Sequence, residues 1–217
     1  MALHTSDALI LKTYALGESD RIVIFLTRDR GKKRGVAKNA RQSRRRFGGA
    51  LEPLTCGRVT YRERECRDLV LLHDVAVMRS PLGAAGGQDE DALGCVSYFA
   101  ELIDECSPDN DPSETLYRLG ASMVDALAAA APADVLARYF EYWLLRLQGV
   151  YQADPRTSAE AQAFLEAARS CSPFALRELR VSPKTLRELE RVHGAQIAMH
   201  LEKDLKSIRV LREMRRG

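Results

Sequence analysis

The apolar residues of this 217-residue chain change their spacing once, and that change divides what it can fold into. Up to residue 80 they come in short runs rich in β-branched and large apolar side chains, separated by polar, turn-like segments. Residues 8–14 and 21–27 read as a hairpin joined across Leu16-Gly17-Glu18-Ser19-Asp20. A third strand falls near residues 34–38, and a second pair occupies 56–62 and 68–78 across a polar turn at 63–67. Five short strands in so few residues predict a small closed barrel, because closure removes exposed strand edges.

Ser80-Pro81-Leu82-Gly83-Ala84-Ala85-Gly86-Gly87 is a Pro/Gly-rich breaker, so the sequence predicts a barrel domain over 1–80 and an all-α domain over 81–217, an α+β chain. Beyond the breaker, Leu93, Val96, Phe99, Ala100 and Ile103 recur at helical spacing. A second helix is expected to start with Asp111 as cap, Pro112 in the first turn and Glu114 completing a capping box. A third begins near Ala133, with Leu136, Tyr139, Phe140, Trp143, Leu144 and Leu147 forming a broad stripe in which Trp143 reads as core. Ser182-Pro183 opens a fourth that Gly194 is expected to end, and Ile197, Leu201, Leu205, Ile208 and Leu211 continue a helical pattern.

The formal net charge of +3 conceals an asymmetry. Residues 1–80 hold 17 Lys and Arg against 9 Asp and Glu, a net +8, while the remaining 16 and 21 give −5. A polyanion partner at the N-terminal end follows from that polarity. The positive charge is densest between the third and fourth strands: residues 28–46 contain ten basic side chains and one acid, Asp29. So many like charges repel unless they are solvated or neutralised, and a phosphate backbone neutralises them with release of counterions. Gly31, Gly35 and Gly48-Gly49 would let backbone amides and guanidinium groups approach phosphates. Phe47 has two readings, as a ring that stacks on a base or as an anchor of the loop in the barrel wall.

Other classes are disfavoured. Cys56, Cys66, Cys95, Cys106 and Cys171 are odd in number and form no C-x-x-C pair, and His4, His73, His193 and His200 lack metal-ligand spacing, so no structural metal is expected. Phosphate-loop, dinucleotide and nucleophile-elbow motifs are missing, which points away from an enzyme. No apolar stretch is long enough to span a bilayer, and the first residues do not read as a secretory signal, so a cytoplasmic location is expected.

Taken in order and spacing, Tyr14-Ala15-Leu16-Gly17-Glu18-Ser19-Asp20-Arg21, Phe25-Leu26-Thr27, Arg30-Gly31-Lys32, Val36-Ala37-Lys38, Ala40-Arg41 and the run Arg46-Phe47-Gly48-Gly49-Ala50-Leu51-Glu52-Pro53 resemble the RecO family of bacterial DNA repair and recombination mediators. Tyr98-Phe99-Ala100-Glu101-Leu102 and Leu205-Lys206-Ser207-Ile208-Arg209-Val210-Leu211 are similar to later segments of that family. The resemblance implies an OB-fold followed by a helical domain, binding of single- and double-stranded DNA, and ATP-independent annealing of complementary strands. It also implies cooperation with RecR and with single-stranded-DNA-binding protein (SSB) in loading recombinase at the nucleoid.

Candidate DNA-binding residues are Lys32, Lys33, Arg34, Lys38, Arg41, Arg44, Arg45, Arg46 and Phe47. Arg118, Arg138 and Arg146 are candidates to border a groove for the acidic SSB tail. Two features depart from the resemblance. Many relatives carry a four-cysteine zinc motif where residues 149–172 hold only Cys171, so no cofactor is expected, and the family's glycine after Lys38 is Asn39. Rival readings are an adaptor whose helical domain docks partners with incidental DNA contact, and an enzyme acting on phosphorylated substrates.

Overall fold

The computed structural model describes residues 2–63, 68–81, 90–203, 205 and 207. Five strands, β1 (Ala2–Leu16), β2 (Asp20–Thr27), β3 (Gly31–Ala37), β4 (Cys56–Glu63) and β5 (Leu69–Arg79), form a closed barrel in the order β1-β2-β3-β5-β4. β1 also pairs with β4 to complete the circle, and the β3–β5 pairing alone is parallel. Alternation explains the closure. Ala8, Ile10, Val23, Phe25, Val59, Tyr61, Val70 and Leu72 point inward and share one buried cluster. A register shift between Ile10 and Lys12 bends β1 as it passes from one partner to the other.

Between β3 and β4 the chain makes a single helical turn, α1 (Arg44–Phe47), and Phe47, Ala50 and Leu51 close one end of the barrel core. A five-stranded barrel with this strand order and a helical turn between the third and fourth strands is an OB-fold, as the resemblance implied. The tip of the expected turn at 63–67 lies outside the described residues apart from Glu63.

Two helices follow, α2 (Glu90–Cys106) and α3 (Glu114–Ala128). The chain divides into compact units that do not break cleanly after residue 80: Met1–Pro81 joins Ala100–Val124, and Leu82–Phe99 joins Asp125–Gly217. The reason lies on the outer face of β1. Gly120 leaves room for a close approach, since a Cβ there would come within 2.6 Å of Leu9 Cδ1 and 2.8 Å of Ile103 Cδ1. The expected cap of α3 is also displaced. Ser113 accepts from the Leu116 N–H at 3.4 Å, so Asp111 and Pro112 precede the helix rather than open it.

The second unit contains α4 (Ala133–Leu147), α5 (Ala159–Ser170), a 3-10 turn at Ala175–Glu178 and α6 (Pro183–Leu201). The Tyr98 hydroxyl donates to Glu141 Oε1 at 2.9 Å, the Arg138 guanidinium lies 2.9 Å from the same oxygen, and His193 Nδ1 stands 3.2 Å from Oε2. All four side chains are buried, and burial, followed by the charge of Glu141, pushes the Tyr98 phenol well above its ordinary range. Trp143 donates its indole N–H to the Ala168 carbonyl at 3.0 Å, as a packed tryptophan does. Contrary to the sequence expectation, α6 runs through Gly194. One glycine costs a helix only about 1 kcal/mol, and the stripe Leu186, Leu189, Val192 and Ile197 continues across it. Among the described residues no helix is long and apolar enough to cross a membrane.

Candidate nucleic-acid interface

The basic stretch 28–46 separates into two halves with different electrostatic fates. In the first, spanning the β2–β3 hairpin, every cation meets a carboxylate. Arg28 reaches Glu114 at 2.6 Å, Arg30 lies 3.7 Å from Asp29, and Arg34 lies 3.3 Å from Asp109. Lys32 sits 3.0 Å from Asp104 and 3.6 Å from Asp109, while Lys33 lies 2.7 Å from Glu63 and donates to Asn110 at 2.9 Å. Lys32 is only 7% exposed. Its ammonium is held inside the barrel unit, and so is most of Lys33.

In the second half, none of Lys38, Arg41, Arg44, Arg45 and Arg46 forms an ion pair among the described residues. Lys38, Arg41, Arg44 and Arg45 are exposed and Arg46 is half-buried. Local hydrogen bonds shape this loop. Asn39 takes a left-handed backbone, φ 54°, which asparagine tolerates better than most residues, and donates its N–H to Asp20 Oδ1 at 2.8 Å. Arg41 donates its backbone N–H to the Ser19 carbonyl and its guanidinium to the Glu18 carbonyl, both at 3.1 Å. Arg46 donates to Ser43 Oγ at 3.0 Å and to the Lys38 carbonyl at 2.9 Å while lying over the Phe47 ring. Arg41 and Arg46 therefore fold the loop back on itself, and Lys38, Arg44 and Arg45 stand out from it.

Phe47 is 3% exposed and belongs to the barrel core, so the anchoring alternative holds and the ring is not a stacking platform. Lys32 and Lys33 likewise leave the candidate set, because acids from α2 and the loop after it, and from the end of β4, reach them first. Arg138 is buried against Glu141, which removes it as a groove-bordering cation; Arg118 and Arg146 are exposed. Cys171 is exposed, and among the described residues no three His, Cys, Asp or Glu side chains converge as metal ligands. Sequence reasoning passed over the outward residues of the same strands, Tyr14 among them, although the alternation that put Val23 and Phe25 inside puts Ile22 outside.

An OB barrel carrying a cationic loop that forms no ion pair among the described residues, followed by a helical domain, defines the class of this protein. Residues 1–81 match the family Recombination protein O N terminal and residues 87–153 match Recombination protein O C terminal. The chain is similar to "DNA repair protein RecO" of Koribacter versatilis (strain Ellin345), 42% identical over 147 residues, and of Anaeromyxobacter sp. (strain K), 42% identical over 154 residues. These matches cover 68% and 71% of this chain and 59% of each relative. A third relative, "DNA repair protein RecO" of Geobacter metallireducens, is 30% identical over an alignment of 242 positions, gaps included, that covers 96% of this chain and 97% of the relative. The chain belongs to the RecO family of DNA repair proteins.

Proposed function

We propose that this chain binds single- and double-stranded DNA through residues 38–46, between β3 and β4, and anneals complementary strands without ATP. The observation that carries the reading is the set of exposed cations Lys38, Arg44 and Arg45, without an ion pair among the described residues, displayed beside an OB barrel. Phosphates would replace the missing counter-charges, and release of condensed cations from the strand drives association. A strand so neutralised repels its complement less, which is what annealing needs. The reading is of a protein that acts by binding rather than by catalysis.

Family membership supports a finer role, in which the chain works with RecR and SSB to load recombinase on coated DNA in the cytoplasm, at the nucleoid. Arg118 and Arg146 are then the positions to test against an acidic SSB tail. Mixing complementary labelled oligonucleotides with pure protein and no nucleotide tests the core of the proposal. Annealing faster than the spontaneous rate, on bare and then on SSB-coated strands, supports it. Annealing at the spontaneous rate under conditions where the protein binds both strands contradicts it.

A further inference from the structure

Strand register sets Tyr14 opposite Ile22, Ile22 opposite Val36, and Val36 opposite Leu71, one row across β1, β2, β3 and β5. The neighbouring positions Val23 and Ala37 face the barrel core, so this row faces outward. Part of the outer face is covered. Leu9 lies under Gly120 and Ile103, and Lys32 is drawn to Asp104. The row itself stays open: Ile22, Val36 and Leu71 are half-buried, and Tyr14 is 45% exposed.

Cations frame it. Lys12 places its ammonium 5.5 Å from the centre of the Tyr14 ring, over one face. Arg62 pairs with Leu71 across β4 and β5 and is exposed, and Lys38 follows directly on β3. The β1–β2 turn that follows Tyr14 is also tied to the cationic loop, by the bonds from Asn39 to Asp20 and from Arg41 to Ser19 and Glu18.

Resting on the DNA-binding reading, we infer that Tyr14 is the base-stacking residue of the site, receiving an unpaired nucleobase on its open face while Ile22 and Val36 accept its neighbour. An aromatic ring beside an apolar strip matches the faces of bases, and the flanking ammonium and guanidinium groups match their phosphates. A duplex keeps its base faces stacked inside the helix and cannot use this surface. Tyr14 therefore gives the site its preference for single strands, whereas Lys38, Arg44 and Arg45 serve either form.

The test uses the full chain and fluorescence anisotropy with three labelled probes: a single-stranded oligonucleotide, its duplex, and a strand of the same length with abasic sites throughout. Tyr14→Ala should weaken single-strand binding roughly 5- to 150-fold, the equivalent of 1–3 kcal/mol for a lost base stack. Duplex and abasic binding should not change, and the salt slope should stay at the wild-type value. Tyr14→Phe should bind like wild type. Equal loss on all three probes, or no loss on the single strand, overturns the inference. The triple variant Lys38→Ala, Arg44→Ala, Arg45→Ala separates the two levels: if it weakens all three probes while Tyr14→Ala weakens none, only the stacking role fails, and if wild type binds no probe, the DNA reading itself fails.

Discussion

The Lys32 ammonium lies 3.0 Å from Oδ1 of Asp104 and 2.6 Å from the carbonyl oxygen of the same residue, 72 positions along the chain. Both side chains are largely shielded from solvent, so the pair fastens α2 to the barrel. Removing one partner of such a pair leaves a buried charge without compensation, which costs about 3–5 kcal/mol. Asp109, 3.6 Å from the ammonium, offsets part of that loss. Asp104→Ala should therefore lower stability in urea by about 3 kcal/mol. Lys32→Met should leave DNA affinity at the wild-type value under native conditions, since this lysine is buried against α2 on the outer side of the barrel.

Gly31 is held at φ 71°, where other residues are strained, and a Cβ there would collide with the backbone of Asp111. The turn around it is fixed by Thr27, whose hydroxyl donates to the Gly31 carbonyl at 2.7 Å and accepts from the Arg30 N–H at 3.0 Å. Gly31→Ala should destabilise the chain by more than about 1 kcal/mol. The same substitution at Gly194, where a Cβ meets open space within a helix, should stabilise it by about 0.4–1 kcal/mol. Paired thermal melts check both signs.

Glu63 accepts from Lys33 at 2.7 Å, and that hydrogen bond, aided by the charges of Lys33 and His4, holds its carboxyl below the ordinary value of 4.5. A carboxylate whose folded pKa is depressed stabilises the protein fully above its unfolded value, and that contribution is lost as pH falls through the folded value. Stability should thus decline below pH 4.5 in wild type, and Glu63→Gln should flatten this part of the acid limb. NMR titration should find the Glu63 midpoint below 4.5 and find it raised in Lys33→Met.

Arg46 makes two hydrogen bonds within its own loop and covers the Phe47 ring, so its guanidinium positions other cations rather than standing free. Arg46→Ala should cost about 1 kcal/mol of stability and make the amides of residues 38–46 exchange faster with solvent. Lysine should not restore the wild-type exchange pattern, because a single ammonium cannot hold Ser43 and the Lys38 carbonyl in the same planar geometry.

Periodicity made the barrel legible. The five expected strands overlap the five observed, and the breaker after Ser80 marks where β5 ends. Its role as a domain border was less visible, since nothing local to Ala100–Val124 says that this segment packs on β1 and β3. The same distance explains the site. Ten cations in sequence look alike, but Asp104, Asp109 and Glu114, far along the chain, neutralise the hairpin and leave the loop bare. α5 went unread because its alanine-rich stretch has only Phe164 and Leu165 as large apolar side chains. Gly194 misled in the opposite direction, as a weak local breaker overridden by packing.

The central claim is that the unpaired cations of residues 38–46, and not those of 28–34, meet the DNA backbone. Its most direct measurement is the salt dependence of oligonucleotide affinity for wild type, for Lys38→Ala/Arg44→Ala/Arg45→Ala, and for Lys32→Met. Each lost phosphate contact should reduce the slope of log K against log salt by roughly 0.7 on a single strand, so the triple variant should lose about 2 while Lys32→Met keeps the wild-type slope. A triple variant with an unchanged slope, or a Lys32→Met protein whose slope falls with it, would contradict the claim.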